Sequence, residues 1–183
     1  MKKTVWTFGL ISGGIMSAMM LLAMPFADAI GPDRGEIIGY TTMVLSFLLV
    51  FFGARSYRDN VAGGTIGFGR ALAVGSLITV IACTCYVATW ELIYFKLAPD
   101  YAAKLQSYAG EKVKASGDSP EVIQKKLADL EKFSKLYRNP AINAAVTFVE
   151  PLPVGLVLAL VSAGILSRKR RGATSRTAIT SIS

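Results

Sequence analysis

The chain has 183 residues, of which 52% are hydrophobic, and a formal net charge of +8. The apolar residues are gathered in runs of about 20, which is typical of a multi-pass membrane protein rather than a soluble domain. Basic residues lie beside these runs without a nucleic-acid-binding motif, and the absence of histidine excludes histidine metal sites and histidine acid–base catalysis. We therefore expect the lipid bilayer as a partner, no nucleic acid, and no metal or other cofactor.

The first apolar run covers residues 5–26 and follows Lys2 and Lys3. Small residues recur in it at every fourth position, which suits close packing against another helix. These residues are Gly9, Gly13 and Ser17. A second interpretation is a cleaved signal peptide, because residues 27–29 read Ala-Asp-Ala. The run is longer than the usual apolar core of a signal peptide, so we favour a retained helix.

The second apolar run covers residues 37–54, after a stretch at 27–36 that we interpret as a turn. A polar block with two candidate functional residues, Arg55 and Arg58, follows the run. Arg55 and Asp59 are four positions apart, so their side chains can pair if the helix continues that far.

The third apolar run covers residues 71–95. Small residues again recur at every fourth position, namely Gly67, Ala71, Gly75 and Thr79. Tyr86, Trp90 and Tyr94 form an aromatic stripe near the C-terminal end of this run, as is typical of a membrane interface. A ligand-stacking role for Trp90 is the alternative. Glu91 is an acid within this belt and is a further candidate functional residue.

Residues 97–138 are polar and carry two apolar stripes at helical spacing. The first stripe consists of Leu97, Tyr101, Leu105 and Tyr108, and the second consists of Ile123, Leu127, Leu130 and Tyr137. Gly117 and Asp118 interrupt the pattern, and Ser119 with Pro120 suits the start of a helix. This region is therefore predicted to be an amphipathic helical hairpin outside the membrane.

The fourth apolar run covers residues 141–166 and contains one acid, Glu150, followed by Pro151 and Pro153. An ionisable side chain in a spanning helix marks a functional site by default, and proline frees backbone carbonyls. Counting back from Arg168 puts Glu150 roughly 27 Å away, near the far boundary of the bilayer rather than its centre. The same count along the third run puts Glu91 at a similar depth.

These runs predict an all-α fold, an integral membrane four-helix bundle with the hairpin between spans 3 and 4. The membrane domain would cover residues 1–171, followed by a flexible tail at 172–183. The N-terminus, the loop between spans 2 and 3 and the segment after residue 166 are rich in lysine and arginine, whereas the stretch at 27–36 is not. The hairpin also has many lysines, but long loops are translocated with less regard to charge. The positive-inside rule then places both termini in the cytoplasm and the hairpin outside a bacterial cytoplasmic membrane.

Four sequence blocks together resemble the bacterial DUF4199 family. They are residues 53–60 (Gly-Ala-Arg-Ser-Tyr-Arg-Asp-Asn), 67–72 (Gly-Phe-Gly-Arg-Ala-Leu), 86–90 (Tyr-Val-Ala-Thr-Trp) and 150–156 (Glu-Pro-Leu-Pro-Val-Gly-Leu). The resemblance extends over residues 2–171 and implies a four-span integral membrane protein of uncharacterised function. It supplies no catalytic residues.

We expect a non-enzymatic structural, assembly or regulatory component that binds lipid and either a second copy of itself or another membrane protein. The alternative is a small transporter or channel subunit that uses Glu91 and Glu150. The candidate functional residues are Glu150, Glu91, Arg55, Arg58, Pro151, Pro153 and Trp90.

Overall fold

The computed structural model describes residues 1–168, and within them the protein is all-α, as predicted. Four helical segments are long and apolar enough to cross a membrane, namely Lys2–Ile30, Pro32–Asn60, Phe68–Leu97 and Pro140–Leu166. These segments confirm the predicted four-span architecture. The predicted tail at 172–183 lies outside the described residues.

The helices are α1 (Lys2–Ala23), α2 (Ala27–Ile30), α3 (Pro32–Asn60), α4 (Phe68–Leu92), α5 (Tyr101–Lys114), α6 (Pro120–Tyr137), α7 (Pro140–Val149) and α8 (Leu152–Leu166). A 3₁₀ turn, Met24–Phe26, joins α1 to α2, and a π-helical turn, Ile93–Leu97, extends α4. Helices α1 and α2 form the first span, α3 the second, α4 the third, and α7 with α8 the fourth. The predicted hairpin consists of α5 and α6, joined by a turn in which Gly117 has a φ of 75°.

The interpretation of residues 27–36 as a turn is wrong in extent, because α2 and the start of α3 occupy most of this stretch. Gly31 alone separates the two helices, with a φ of 75° that glycine adopts without steric cost. Pro32 then starts α3 at the first helical position, where a missing N–H removes no hydrogen bond. The chain therefore changes direction within one residue.

Helix α4 is central to the bundle. It packs against α1 on one side and α8 on the other, and α3 contacts all three of these helices. The side chains of Phe47, Val50, Val74 and Ile78 are fully buried between these helices. The middle of the bundle is therefore filled with apolar side chains.

Small residues set the distance between the helices, as their four-residue spacing predicts. A Cβ atom added to Gly13 would lie 2.6 Å from the Cβ atom of Cys85, and one added to Gly75 would lie 2.9 Å from the Cβ atom of Ala159. Such distances are shorter than carbon atoms tolerate, so glycine allows these helices to approach closely. Gly67 is an exception, because a Cβ atom there would meet no atom within 4 Å.

Candidate functional site

A cavity of about 650 Å³ lies at the end of the bundle that carries the hairpin, and we call it the hairpin-end cavity. Its walls come from α1, the junction of α2 and α3, α4 and α7, and residues of α5 lie over it. Binding sites for small molecules typically have volumes of about 300–1,000 Å³. The cavity is therefore large enough to hold a small organic molecule.

Methionine side chains form one wall of the cavity. Five of the six methionines in the chain line it, namely Met16, Met19, Met20, Met24 and Met43. Methionine is unbranched and polarisable, so a wall of this kind adapts to apolar groups of different shapes. The wall is apolar and is suited to the body of a hydrophobic ligand.

Glu150 lies at a break in the fourth span. Helix α7 ends at Val149 and α8 begins at Leu152, because the prolines at 151 and 153 cannot donate backbone hydrogen bonds. The Glu150 side chain is exposed and lines the cavity, and the hydroxyl group of Tyr40 lies beside its carboxyl group. The break thus presents a carboxyl group to the cavity.

A chain of hydrogen bonds holds the aromatic side chains of Trp90 and Tyr137, which line the cavity, in place. The indole N–H of Trp90 donates to the hydroxyl oxygen of Tyr137 at 3.0 Å, and the hydroxyl groups of Tyr137 and Thr147 are 2.9 Å apart. Asn143, which is fully buried, donates to the backbone oxygen of Tyr137 at 3.2 Å. Burial raises the pKa of the Tyr137 phenol, so the hydroxyl group stays protonated. This network connects α4, α6 and α7.

Helix α5 forms the roof of the cavity, and its apolar stripe lies over the opening. Lys104 pairs with Asp28 at 2.7 Å, and Lys112 pairs with Asp33 at 3.0 Å. The hydroxyl group of Tyr108 also donates to Asp33. The hydrogen bonds to Asp33 raise the pKa of both Tyr108 and Lys112. All of these side chains are at the surface, so polar contacts in water tether the roof to α2 and α3.

The structure places the residues predicted from the sequence in four different surroundings. Trp90 and Glu150 line the hairpin-end cavity. Pro151 is buried at the break of the fourth span, and Pro153, two residues further on, is exposed. Glu91 follows Trp90 but does not line the cavity, and its Oε1 atom is buried without a hydrogen-bond partner among residues 1–168.

Arg55 and Arg58 lie at the opposite end of the bundle, where α3 ends. The predicted pair between Arg55 and Asp59 is confirmed at 3.6 Å, and Arg58 binds the same carboxylate at 2.7 Å. Helix α3 continues to Asn60, which is the condition that the pairing required. The two arginines share one acid that is far from the cavity.

Within residues 1–168, no group of three or more aspartate, glutamate, cysteine or histidine side chains is placed to hold a metal ion. The acids of the cavity, including Asp28, Asp33, Glu36 and Glu150, are distributed around its wall. The cavity can therefore offer single carboxyl groups, phenols and thioethers to a ligand.

Sequence reasoning missed the methionine wall and the roof. A signal for the wall was available, because Met16, Met20 and Met24 are spaced by four along the first span. The roof depends on ion pairs between residues 76 and 79 positions apart. A local sequence pattern cannot predict ion pairs between residues so far apart in the chain.

The family model described as "Protein of unknown function (DUF4199)" matches residues 7–168 of the chain. Neither the curated proteins nor the solved structures contain a match.

Proposed function

We propose that this chain, which belongs to the DUF4199 family, is a non-enzymatic multi-pass membrane protein. In this proposal it binds a small amphipathic molecule in the hairpin-end cavity. Binding there would make it a regulatory or assembly component. The observation that carries this proposal is the cavity itself. Side chains from all four spans and from the hairpin converge on it.

The chemistry of the cavity supports an amphipathic ligand. The methionine wall offers an apolar surface, and the lining also carries Glu150, Tyr40 and other polar groups. Pockets for small molecules commonly combine a largely apolar lining with a few placed polar groups. The two kinds of wall would orient a molecule that has one apolar part and one polar part.

We further propose that the protein lies in the bacterial cytoplasmic membrane with both termini in the cytoplasm. The contrast between the short loop at 27–36, which contains one basic residue, and the more basic termini and loop between spans 2 and 3 supports this orientation. Exposed apolar side chains such as Leu22, Leu45 and Val157 cover the sides of the spans. Lipid is the partner that we propose for most of this surface, with a second copy or another membrane protein covering a part of it.

Energy transfer from Trp90 to 1-aminoanthracene, a fluorescent hydrophobic probe that is uncharged at neutral pH, tests binding in the cavity. The Trp6→Phe variant removes the other tryptophan, which is exposed near the start of α1. We expect saturable energy transfer in detergent micelles, in addition to the linear rise that partition of the probe into the micelle produces.

Two glycine variants provide the matched control. Gly39 lines the cavity and Gly14 does not, and a Cβ atom at either position would meet no atom within 4 Å. Gly39→Phe should obstruct the cavity and remove the saturable signal, whereas Gly14→Phe should keep it. Loss of the signal in both variants, or in neither, would contradict the proposal.

A transporter or channel subunit is the second candidate. The observation in its favour is the break at Glu150, where the prolines leave backbone carbonyls without partners next to a carboxyl group. Fully buried side chains such as Val50, Val74 and Ile78 fill the bundle beyond the cavity, so one copy offers no open route. Proton or cation flux at background level in proteoliposomes of both wild type and Glu150→Gln would reject this candidate.

A further inference from the structure

Among the described residues, two acids of the cavity wall have no basic partner. Asp28 and Asp33 are each paired with a lysine of α5, so their charges are compensated. Glu36 and Glu150 also line the cavity and lie near each other. No lysine or arginine nitrogen of residues 1–168 is within 4.0 Å of either carboxyl group. The wall therefore favours positive charge in the cavity.

Aromatic rings surround the same position. Tyr40 lies beside Glu150, and Tyr86, Trp90 and Tyr137 are part of the same lining. The face of an aromatic ring carries partial negative charge and attracts cations. Tyr137 is fixed by its hydrogen bonds to Trp90 and Thr147 and by an edge-on contact with Tyr94 at 5.4 Å between ring centres. The rings of Tyr137 and Trp90 are thus held in place before a ligand arrives.

The arrangement favours an organic cation over a metal ion. A hard metal cation needs several oxygen ligands that converge on one point, and the described residues contain no such group of acids. An organic cation with a delocalised or alkylated charge needs a carboxyl group, aromatic faces and apolar surface. Glu150, the aromatic rings and the methionine wall supply these three features.

We infer that the hairpin-end cavity selects an amphipathic organic monocation, with its charged centre near Glu150 and the tyrosines and its apolar body against the methionines. This inference rests on the proposed binding function and names the class of ligand that the site takes.

Competition against 1-aminoanthracene tests the inference. Tetraphenylphosphonium and tetraphenylborate have nearly the same shape and opposite charge. We expect tetraphenylphosphonium to displace the neutral probe from the Trp6→Phe protein at a concentration at least about ten-fold below that of tetraphenylborate. Glu150→Gln should weaken tetraphenylphosphonium by about ten-fold and leave the neutral probe bound, whereas Glu150→Asp should keep the preference for the cation.

Glu91→Gln is the matched control, because Glu91 is also an acid within a span but does not line the cavity. It should bind the cation as the parent does. The neutral probe shows in every variant that the cavity is folded. If the neutral probe binds but the two ions compete equally, the inference about charge is wrong and the proposed function stands. The same holds if Glu150→Gln binds tetraphenylphosphonium with unchanged affinity. Failure of the neutral probe to bind would overturn the proposed function as well.

Discussion

Gly13 shows how one missing side chain determines a helix contact in this protein. Its position in the four-residue spacing with Gly9 and Ser17 predicts a packing face, and the structure places that face against α4. The prediction succeeds because close approach of two helices requires small residues wherever the partner lies. The surroundings of Glu150 could not be predicted, since its neighbour Tyr40 comes from another span.

Replacement of Gly13 by alanine should destabilise the bundle by about 1–3 kcal/mol, because the new Cβ atom would overlap the Cβ atom of Cys85. Gly14→Ala is the control, since a Cβ atom there meets no atom within 4 Å, and its effect should stay within about 1 kcal/mol. Unfolding by sodium dodecyl sulfate in mixed micelles measures both free energies. Equal stability of the two variants would show that the contact between α1 and α4 is looser than described.

At the scale of elements, α5 and α6 are attached to the bundle by different means. The buried network of Tyr137, Trp90 and Thr147 holds α6, whereas surface ion pairs hold α5. Apolar periodicity predicted both helices of the hairpin, because each has one apolar face. It could not predict that α5 lies over a cavity, because that placement depends on Asp28 and Asp33 at the other side of the opening.

Release of α5 should expose Trp90, because the ring of Tyr101 on α5 contacts the indole at 6.0 Å between ring centres. Asp33→Asn removes the partner of both Tyr108 and Lys112, and it should raise the quenching of Trp90 by acrylamide in the Trp6→Phe protein. Raising NaCl to about 500 mM should act in the same direction, since salt screens exposed charges. Asp129→Asn removes an exposed pair within α6 and should leave the quenching unchanged.

Alkaline pH should also release α5 in this assay. Asp33 raises the pKa of Tyr108 and Lys112 in the folded protein. The stabilisation that these two side chains give to the attachment of α5 is therefore complete below their ordinary pKa values of about 10. This stabilisation is lost as the pH rises through the higher pKa values that the two groups have in the folded protein. The Asp33→Asn variant should lack this step, and an identical pH profile in both proteins would argue against the tether.

At the scale of the whole molecule, hydropathy predicted the all-α fold and the number of spans, because a bilayer requires long apolar helices with internal backbone hydrogen bonds. It did not reveal the cavity. A cavity is the space left between elements, so it depends on the relative positions of α1, α4, α5 and α7. The sequence pattern of each element alone does not contain that information.

Two cysteine variants test the proposed orientation. Ser116 lies in the exposed turn between α5 and α6, and Thr65 lies in the exposed loop between α3 and α4 at the other end of the bundle. In intact bacterial cells, a membrane-impermeant maleimide should label Ser116→Cys. It should label Thr65→Cys only after the cells are permeabilised. Wild type controls for the cysteines at 83 and 85, which are buried and partly buried within α4. The reverse labelling pattern would invert the topology.

The concentration of methionine at one place has a chemical consequence. Oxidants convert the thioether of methionine into a polar sulfoxide, and reductases reverse the change. Five of the six methionines line the hairpin-end cavity. Oxidative damage to this residue type would therefore fall mainly on one wall, turning it from apolar to polar while leaving the glycine-mediated contacts of the spans in place.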